Sequence, residues 1–202
     1  TPGFPRFKSR RSYTTFSQSI DTRLGCPLTG DVLKVPGVGS VRIRLSRSLE
    51  GVVKQLRITG KADGWYALLV CEIPKPPPWA KTGNSIGVDV GLEAFVTLSN
   101  GEKTPKSTFL RQKQRALKRS QQALSRKNQS SRNRAKARHR LALKHLTVQR
   151  SRKDFHHKTA LDLVRRYDTI AVEDLNIRGL ARSVLSKHVH DAGWAQFMGI
   201  LA

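Results

Sequence analysis

The sequence predicts a mixed α+β protein, with a small antiparallel β-rich module followed by a module of short strands interrupted by a helical hairpin. Three observations carry that expectation. Apolar and polar residues alternate at a period of two through the first third of the chain. The proline-rich stretch IPKPPPWAKTG follows at residues 73–83. Leucines then recur every seven residues through a long basic segment lying between two strand-like runs.

In VRIRLS, residues 41–46, Val41, Ile43 and Leu45 alternate with Arg42, Arg44 and Ser46, the signature of a strand with one wet face. LRITG and KADGWYALLVCEI continue the pattern, with Ala62-Asp63-Gly64 forming a hairpin turn between them. A small antiparallel barrel or sandwich, OB-like, is expected over residues 1–73. Proline lacks an N–H and fixes φ, so residues 74–84 should be a stiff extended linker and a domain boundary.

The second module, residues 85–202, opens with strand IGVDVG, then strand AFVTLS and an Asn100-Gly101 turn. From Lys103 to Lys153 there are 18 Lys or Arg and no Asp or Glu. Leu110, Leu117 and Leu124, with Ala116 and Ala123 beside them, form one narrow seam; Leu141, Val148 and Phe155 form another. The small polar residues of NQSSRNR separate them, so an antiparallel hairpin is expected at about residues 106–166. Each helix would have ~20 residues and a length of ~30 Å. Ala160, Leu161 and Val164 should finish the second helix, and TIAVEDL should be a short buried strand that leaves through NIRGL.

With 38 Lys and Arg against 14 acids, the net charge is +24 and the isoelectric point about 11.2. Such a surface needs an acidic partner, nucleic acid first and an anionic membrane surface as its rival. No apolar run approaches the ~18 residues of a spanning helix, and no signal peptide is visible. Cys26 and Cys71 stand apart, without a Cys-x-x-Cys pair, which fits a reducing compartment; a single disulfide between them is the alternative, though nothing in the spacing requires it. The leucine seams argue against a disordered basic tail. Phosphate contacts are therefore expected from Arg111, Lys113, Arg115, Lys118, Arg119, Arg126, Lys127, Arg132, Arg134, Lys136, Arg138 and Arg140.

Two acids interrupt apolar strands. Asp89 shares a strand face with Gly87 and Gly91, and Glu173 shares one with Ala171, so both carboxylates stand among small neighbours. Paired carboxylates on adjacent strands suit Mg²⁺, a hard ion that prefers oxygen ligands, and two such ions can clamp a phosphodiester. Gly-x-Asp-x-Gly also opens the actin-like ATPases and sugar kinases, but those have Thr where this chain has Leu92, and they need two such lobes. His156 and His157 are expected to meet phosphate or solvent. His188 and His190 lack a third ligand nearby. Asp174 is expected to cap the turn at Asn176. Trp65, Tyr66 and Trp194 are expected in cores.

IGVDVGL, the basic hairpin, YDTIAVEDLNIRGL and HDAGWAQF together resemble the TnpB (OrfB) proteins of bacterial insertion sequences. Those proteins are often labelled transposases and are similar to the compact ancestors of type V CRISPR effectors. PRFKSRRSYTTF, the strand from Gly39 to Leu45 and DGWYALLVCEI resemble the family's β-barrel wedge domain. The resemblance covers nearly the whole chain, and its most specific part is VDVGL with VEDLNIRGL at a spacing of 84 residues.

The resemblance implies a partial RuvC-like domain of the ribonuclease H fold, with Asp89 and Glu173 as catalytic, Mg²⁺-holding acids. It implies a guide RNA and a target DNA as partners, with the hairpin lying along their heteroduplex, and no membrane or small-molecule substrate. It places the protein in a bacterial or archaeal cytoplasm, at the nucleoid. Family members carry a helical portion before the RFKS-like stretch, and a zinc ribbon and third acid after the DAGW-like one, so the chain is expected to be truncated at both ends. Asp191 matches the segment before the ribbon rather than the third acid. A poor or inactive nuclease without Zn²⁺ is therefore the expectation for the two-acid chain. The alternative is a non-catalytic DNA- or RNA-binding relative that cuts nothing.

Overall fold

The computed structural model describes residues 13–20, 26–91, 93–106, 108–175 and 193–202, with the side chains of 108–112 left aside. The chain forms two compact units, Thr1–Pro78 and Trp79–Ala202, divided inside the proline-rich stretch. The protein is mixed α+β, with ten strands and three helices among the described residues.

In the first unit, β1 (Thr15–Ser19), β5 (Val52–Lys61) and β6 (Gly64–Glu72) form one antiparallel sheet in the order β1-β5-β6. A second holds β2 (Leu28–Thr29), β3 (Val32–Val35) and β4 (Gly39–Arg42). Leu33 and Val35 of β3 share a core with Leu56 of β5, padded by Ile20, Leu28, Ile43, Ile58, Ala67 and Leu69. Val53 and Leu56 are both buried although three residues apart, because the register of β5 against β6 shifts between Val53 and Gln55 and turns the strand.

Two expectations change here. Among the described residues these strands close no barrel; they remain two open sheets. The strand expected through Leu45 ends at Arg42, because its partner β3 starts only after the turn at Gly30 (φ 59°) and leaves nothing further to pair with. Ile43 still donates to the Asp31 carbonyl at 2.7 Å and enters the core.

The second unit holds a four-stranded sheet. β7 (Ser85–Asp89), β8 (Val96–Leu98) and β9 (Lys103–Thr104) run antiparallel in sequence, and β10 (Thr169–Val172) joins β7 in parallel, giving the order β10-β7-β8-β9. Between β9 and β10 the chain makes α1 (Thr108–Ser125) and α2 (Arg132–Arg166). α3 (Trp194–Leu201) follows. Alternation along β7 sends Ile86 and Val88, with Val90 just beyond, into a core with Phe95, Val96, Leu98, Ala160, Leu163, Trp194 and Phe197.

α2 has 35 residues rather than the ~20 expected, a length of ~52 Å. No glycine or proline falls between Arg132 and Arg166, so nothing stops it before Tyr167. Ser130 takes a positive φ of 67° before it, and the Ser131 hydroxyl caps it by accepting from the Arg134 amide at 3.1 Å. Leu117, Leu124, Leu141, Val148 and Phe155 of the expected seams are half-buried.

Three further expectations are corrected. Leu161 and Val164 are exposed, and Ala160 and Leu163 are the core residues of that turn. β10 is an edge strand with Ala171 and Val172 exposed, not a buried one. His156 faces neither phosphate nor solvent; it is 1 % exposed and stacks on Phe95 at 5.2 Å between ring centroids, with Phe197 edge-on at 5.8 Å. Its helical neighbours Phe155 and Ala160 turn toward the sheet, and His156 turns with them.

Candidate functional site

Register places the two acids. Ala171 pairs with Gly87 and Val172 with Val88, so Asp89 and Glu173 are the next residues at the carboxyl ends of two adjacent parallel strands. Neighbouring strands lie ~4.8 Å apart. Asp89 ends β7, opposite Thr97 of β8, and Glu173 follows β10 directly; both are exposed. The buried faces of Ile86, Val88 and Val90 leave the opposite face of β7 to Gly87 and Asp89.

Glycine at 87 does more than clear space. A Cβ there would stand 3.4 Å from the Cβ of Ser99, whose hydroxyl accepts from the Gly87 amide at 3.1 Å. The bare side of β7 thus receives Ser99, two residues short of the acid. Among the described residues neither carboxylate has a hydrogen-bond or ion-pair partner, and no group of three or more His, Cys, Asp or Glu is placed to hold a metal. The two carboxylates alone are oxygen donors of the kind a hard divalent ion takes. Asp191, His188, His190 and Asn176 lie outside the described residues.

The other ends of the same strands are clamped. The Asp168 carboxylate accepts from the amides of Thr82, at 3.1 Å, and Gly83, at 2.7 Å. These bonds hold the Asp168 carboxyl below the usual carboxylate range. The Asn84 carbonyl accepts from the Asp168 and Thr169 amides, and the Asn84 side chain donates to the Arg166 carbonyl. Arg166 also grips Glu102 through both carboxylate oxygens, at 2.9 and 2.5 Å, and reaches Asp162 at 3.1 Å. The Arg166 guanidinium holds the Glu102 carboxyl below its ordinary value and is itself held more firmly protonated. Sequence reading missed this clamp. Its one local signal was Asp162 and Arg166 at i,i+4.

The hairpin sorts its cations. Arg115, Lys118 and Arg119 of the first arm, Arg126 and Lys127 of the turn between the arms, and Arg132, Lys136, Arg138 and Arg140 of the second arm are exposed. Lys113 and Arg134 are half-buried and turned inward. Lys113 Nζ donates to the Ser151 hydroxyl at 2.6 Å, and Arg134 Nη1 to the Leu124 and Lys127 carbonyls at 3.3 and 2.9 Å. Lys144, absent from the expected set, donates to the Ala116 carbonyl at 3.2 Å and the Ser120 hydroxyl at 2.5 Å. These three cations tie the arms together, so the hairpin uses part of its charge as its own fastening. Arg111 lies on α1, its side chain outside the described residues.

The "Probable transposase" family OrfB_IS605 matches residues 68–184, more than half of the chain and both acidic motifs. The chain belongs to this family. Two OrfB relatives match over 98 % of the chain. One, from Streptomyces pristinaespiralis, is named "Putative RNA-guided DNA endonuclease" and is 33 % identical over 205 residues, half of its own length. The other, from Escherichia coli K12, is named "Putative RNA-guided DNA endonuclease InsQ" and is 26 % identical over 215 residues, 53 % of its length. This OrfB chain thus spans about half the length of the curated relatives it matches. Among its described residues no helix is long and apolar enough to cross a membrane.

Proposed function

We propose that the chain is the wedge-like and RuvC-like part of an RNA-guided DNA endonuclease encoded by an insertion sequence. Residues 1–73 would be the wedge-like nucleic-acid-binding domain, 74–84 a linker and 85–202 the RuvC-like part. The parallel register of β7 and β10 carries the reading, because it sets Asp89 beside Glu173 at the strand ends. The sheet order β10-β7-β8-β9, with the first strand central and the last parallel to it, supports a ribonuclease H type of sheet.

In this reading Asp89 and Glu173 would hold Mg²⁺, which supplies a polarised phosphodiester and an activated water. Among the described residues nothing else takes their carboxylate oxygens, which supports the reading. The bonds from Thr82 and Gly83 to Asp168 hold the starts of the two strands together, which would limit the movement of the carboxylates at their far ends. The exposed cations of the hairpin take the phosphates of a guide RNA–target DNA heteroduplex, read by backbone and A-form shape. The place of action is the nucleoid of a bacterial or archaeal cytoplasm.

The test is cleavage of plasmid and single-stranded DNA with Mg²⁺, beside Asp89→Ala and a salt titration of binding. Cutting that needs Mg²⁺ and vanishes in Asp89→Ala would support the endonuclease reading and overturn the expectation of a poor or inactive two-acid chain. Salt-sensitive binding without cutting would replace it with a purely nucleic-acid-binding role, and an absence of binding would end both.

A further inference from the structure

Trp65, expected in a core, is 71 % exposed at the tip of the β5–β6 hairpin. Its register partner is Gly60, and a Cβ there would stand 3.1 Å from Cη2 and Cζ3 of the indole. The benzenoid ring therefore lies against bare backbone on one side and meets solvent on the other. A side chain at residue 60 would lift the ring, so this glycine seats it.

The opposite face of the same tip carries a second aromatic residue. Tyr66 is pinned by its hydroxyl, which donates to Asp63 at 2.7 Å, and Lys61 Nζ stands 5.2 Å from the centre of its ring. Tyr13, 63 % exposed, precedes Thr14, whose carbonyl accepts from the Gly60 amide at 2.7 Å. The unit Thr1–Pro78 as a whole has 13 Lys and Arg against five acids.

We propose that the hairpin tip is a base-stacking site, in which the open face of Trp65 takes an unpaired base of single-stranded nucleic acid. An exposed indole already held flat loses little conformational freedom on stacking, and every base offers a π-face. Cations elsewhere on the unit would meet the phosphates that accompany the base. A net positive unit favours a polyanion over an apolar protein partner at this tip. The inference rests on the nucleic-acid reading above and adds to it a site for unpaired strand.

The experiment measures binding of short oligothymidylate, oligouridylate and a duplex by fluorescence anisotropy over a range of salt. Trp65→Ala should weaken single-strand binding about tenfold, Trp65→Phe should restore most of it, and the duplex should bind as before. The slope of affinity against salt should not change, because stacking releases no counterions. Oligomers with abasic residues should show no difference between wild type and Trp65→Ala. A larger loss with thymidylate or with uridylate identifies the strand as DNA or RNA. Equal affinity of wild type and Trp65→Ala for both single strands, with salt-sensitive binding retained, overturns the stacking site alone. Wild-type protein that binds no oligomer overturns the broader reading with it.

Discussion

Val88 and Val172 are register partners across the parallel pair β7–β10, and each is followed by an acid. Asp89→Asn and Glu173→Gln keep shape and remove charge at the two strand ends. Each should reduce Mg²⁺-dependent cleavage ~100-fold or more, as loss of a metal-positioning group does. Binding of the same DNA should stay within about twofold, since phosphate contacts lie elsewhere. A gel assay of cleavage beside a binding titration separates the two.

Replacing Arg115, Arg119 and Arg126 with Gln removes three exposed cations from the first arm of the hairpin and the turn after it. If all three meet phosphates, the slope of log affinity against log salt should flatten by about 2 to 3. Arg134→Gln is the contrasting variant. Its guanidinium fastens the interhelical loop, so thermal unfolding should move down while the slope changes little.

Acid should loosen the β7–β10 clamp. Asp168 and Glu102 both titrate below the ordinary carboxylate range, through the Thr82 and Gly83 amides and through Arg166 respectively. A carboxyl depressed on folding stabilises fully above its unfolded value, about 4, and loses that contribution as pH falls through the lower folded one. Thermal unfolding should therefore fall steeply below about pH 4 in the wild type. The fall should be shallower in the double variant Asp168→Asn, Glu102→Gln, which begins less stable at neutral pH.

Phe197 is fully buried and meets Phe95 edge-on at 5.0 Å and His156 at 5.8 Å. Phe197→Ala should cost about 3–5 kcal/mol, read by urea denaturation. Leu161→Ala, on the exposed side of α2, should cost well under 1 kcal/mol.

Patterns carried by one chain segment were legible in the sequence alone. The Lys61–Gly64 hairpin turn, the Asn100-Gly101 turn, the two leucine seams and the burial of Trp194 are of this kind. So was the face that Asp89 shares with Gly87, because period-two alternation fixes which residues share a face; that β10 lies beside β7 is a property of the sheet. What stayed hidden depended on distant partners. β4 stops where β3 runs out, and β10 is exposed because it lies at an edge. His156 is buried because the sheet brings Phe95 to it. Nothing local distinguishes Lys113, Arg134 and Lys144 from the cations that face outward; only the opposite arm of the hairpin does.

The stretch from Lys103 to Lys153, which holds α1 and most of α2, carries 18 cations and no acid and is braced against itself. Its arms repel, and a thin seam with three cations hydrogen-bonded across it must hold them closed. Dissolved salt then acts on this protein in two opposite senses. Raising it screens the repulsion and should raise the melting temperature of the free hairpin, while the same rise weakens its hold on a polyanion. A bound nucleic acid would do for the arm what salt does, so the ligand is also its scaffold, and the protein should be stiffest where it is loaded.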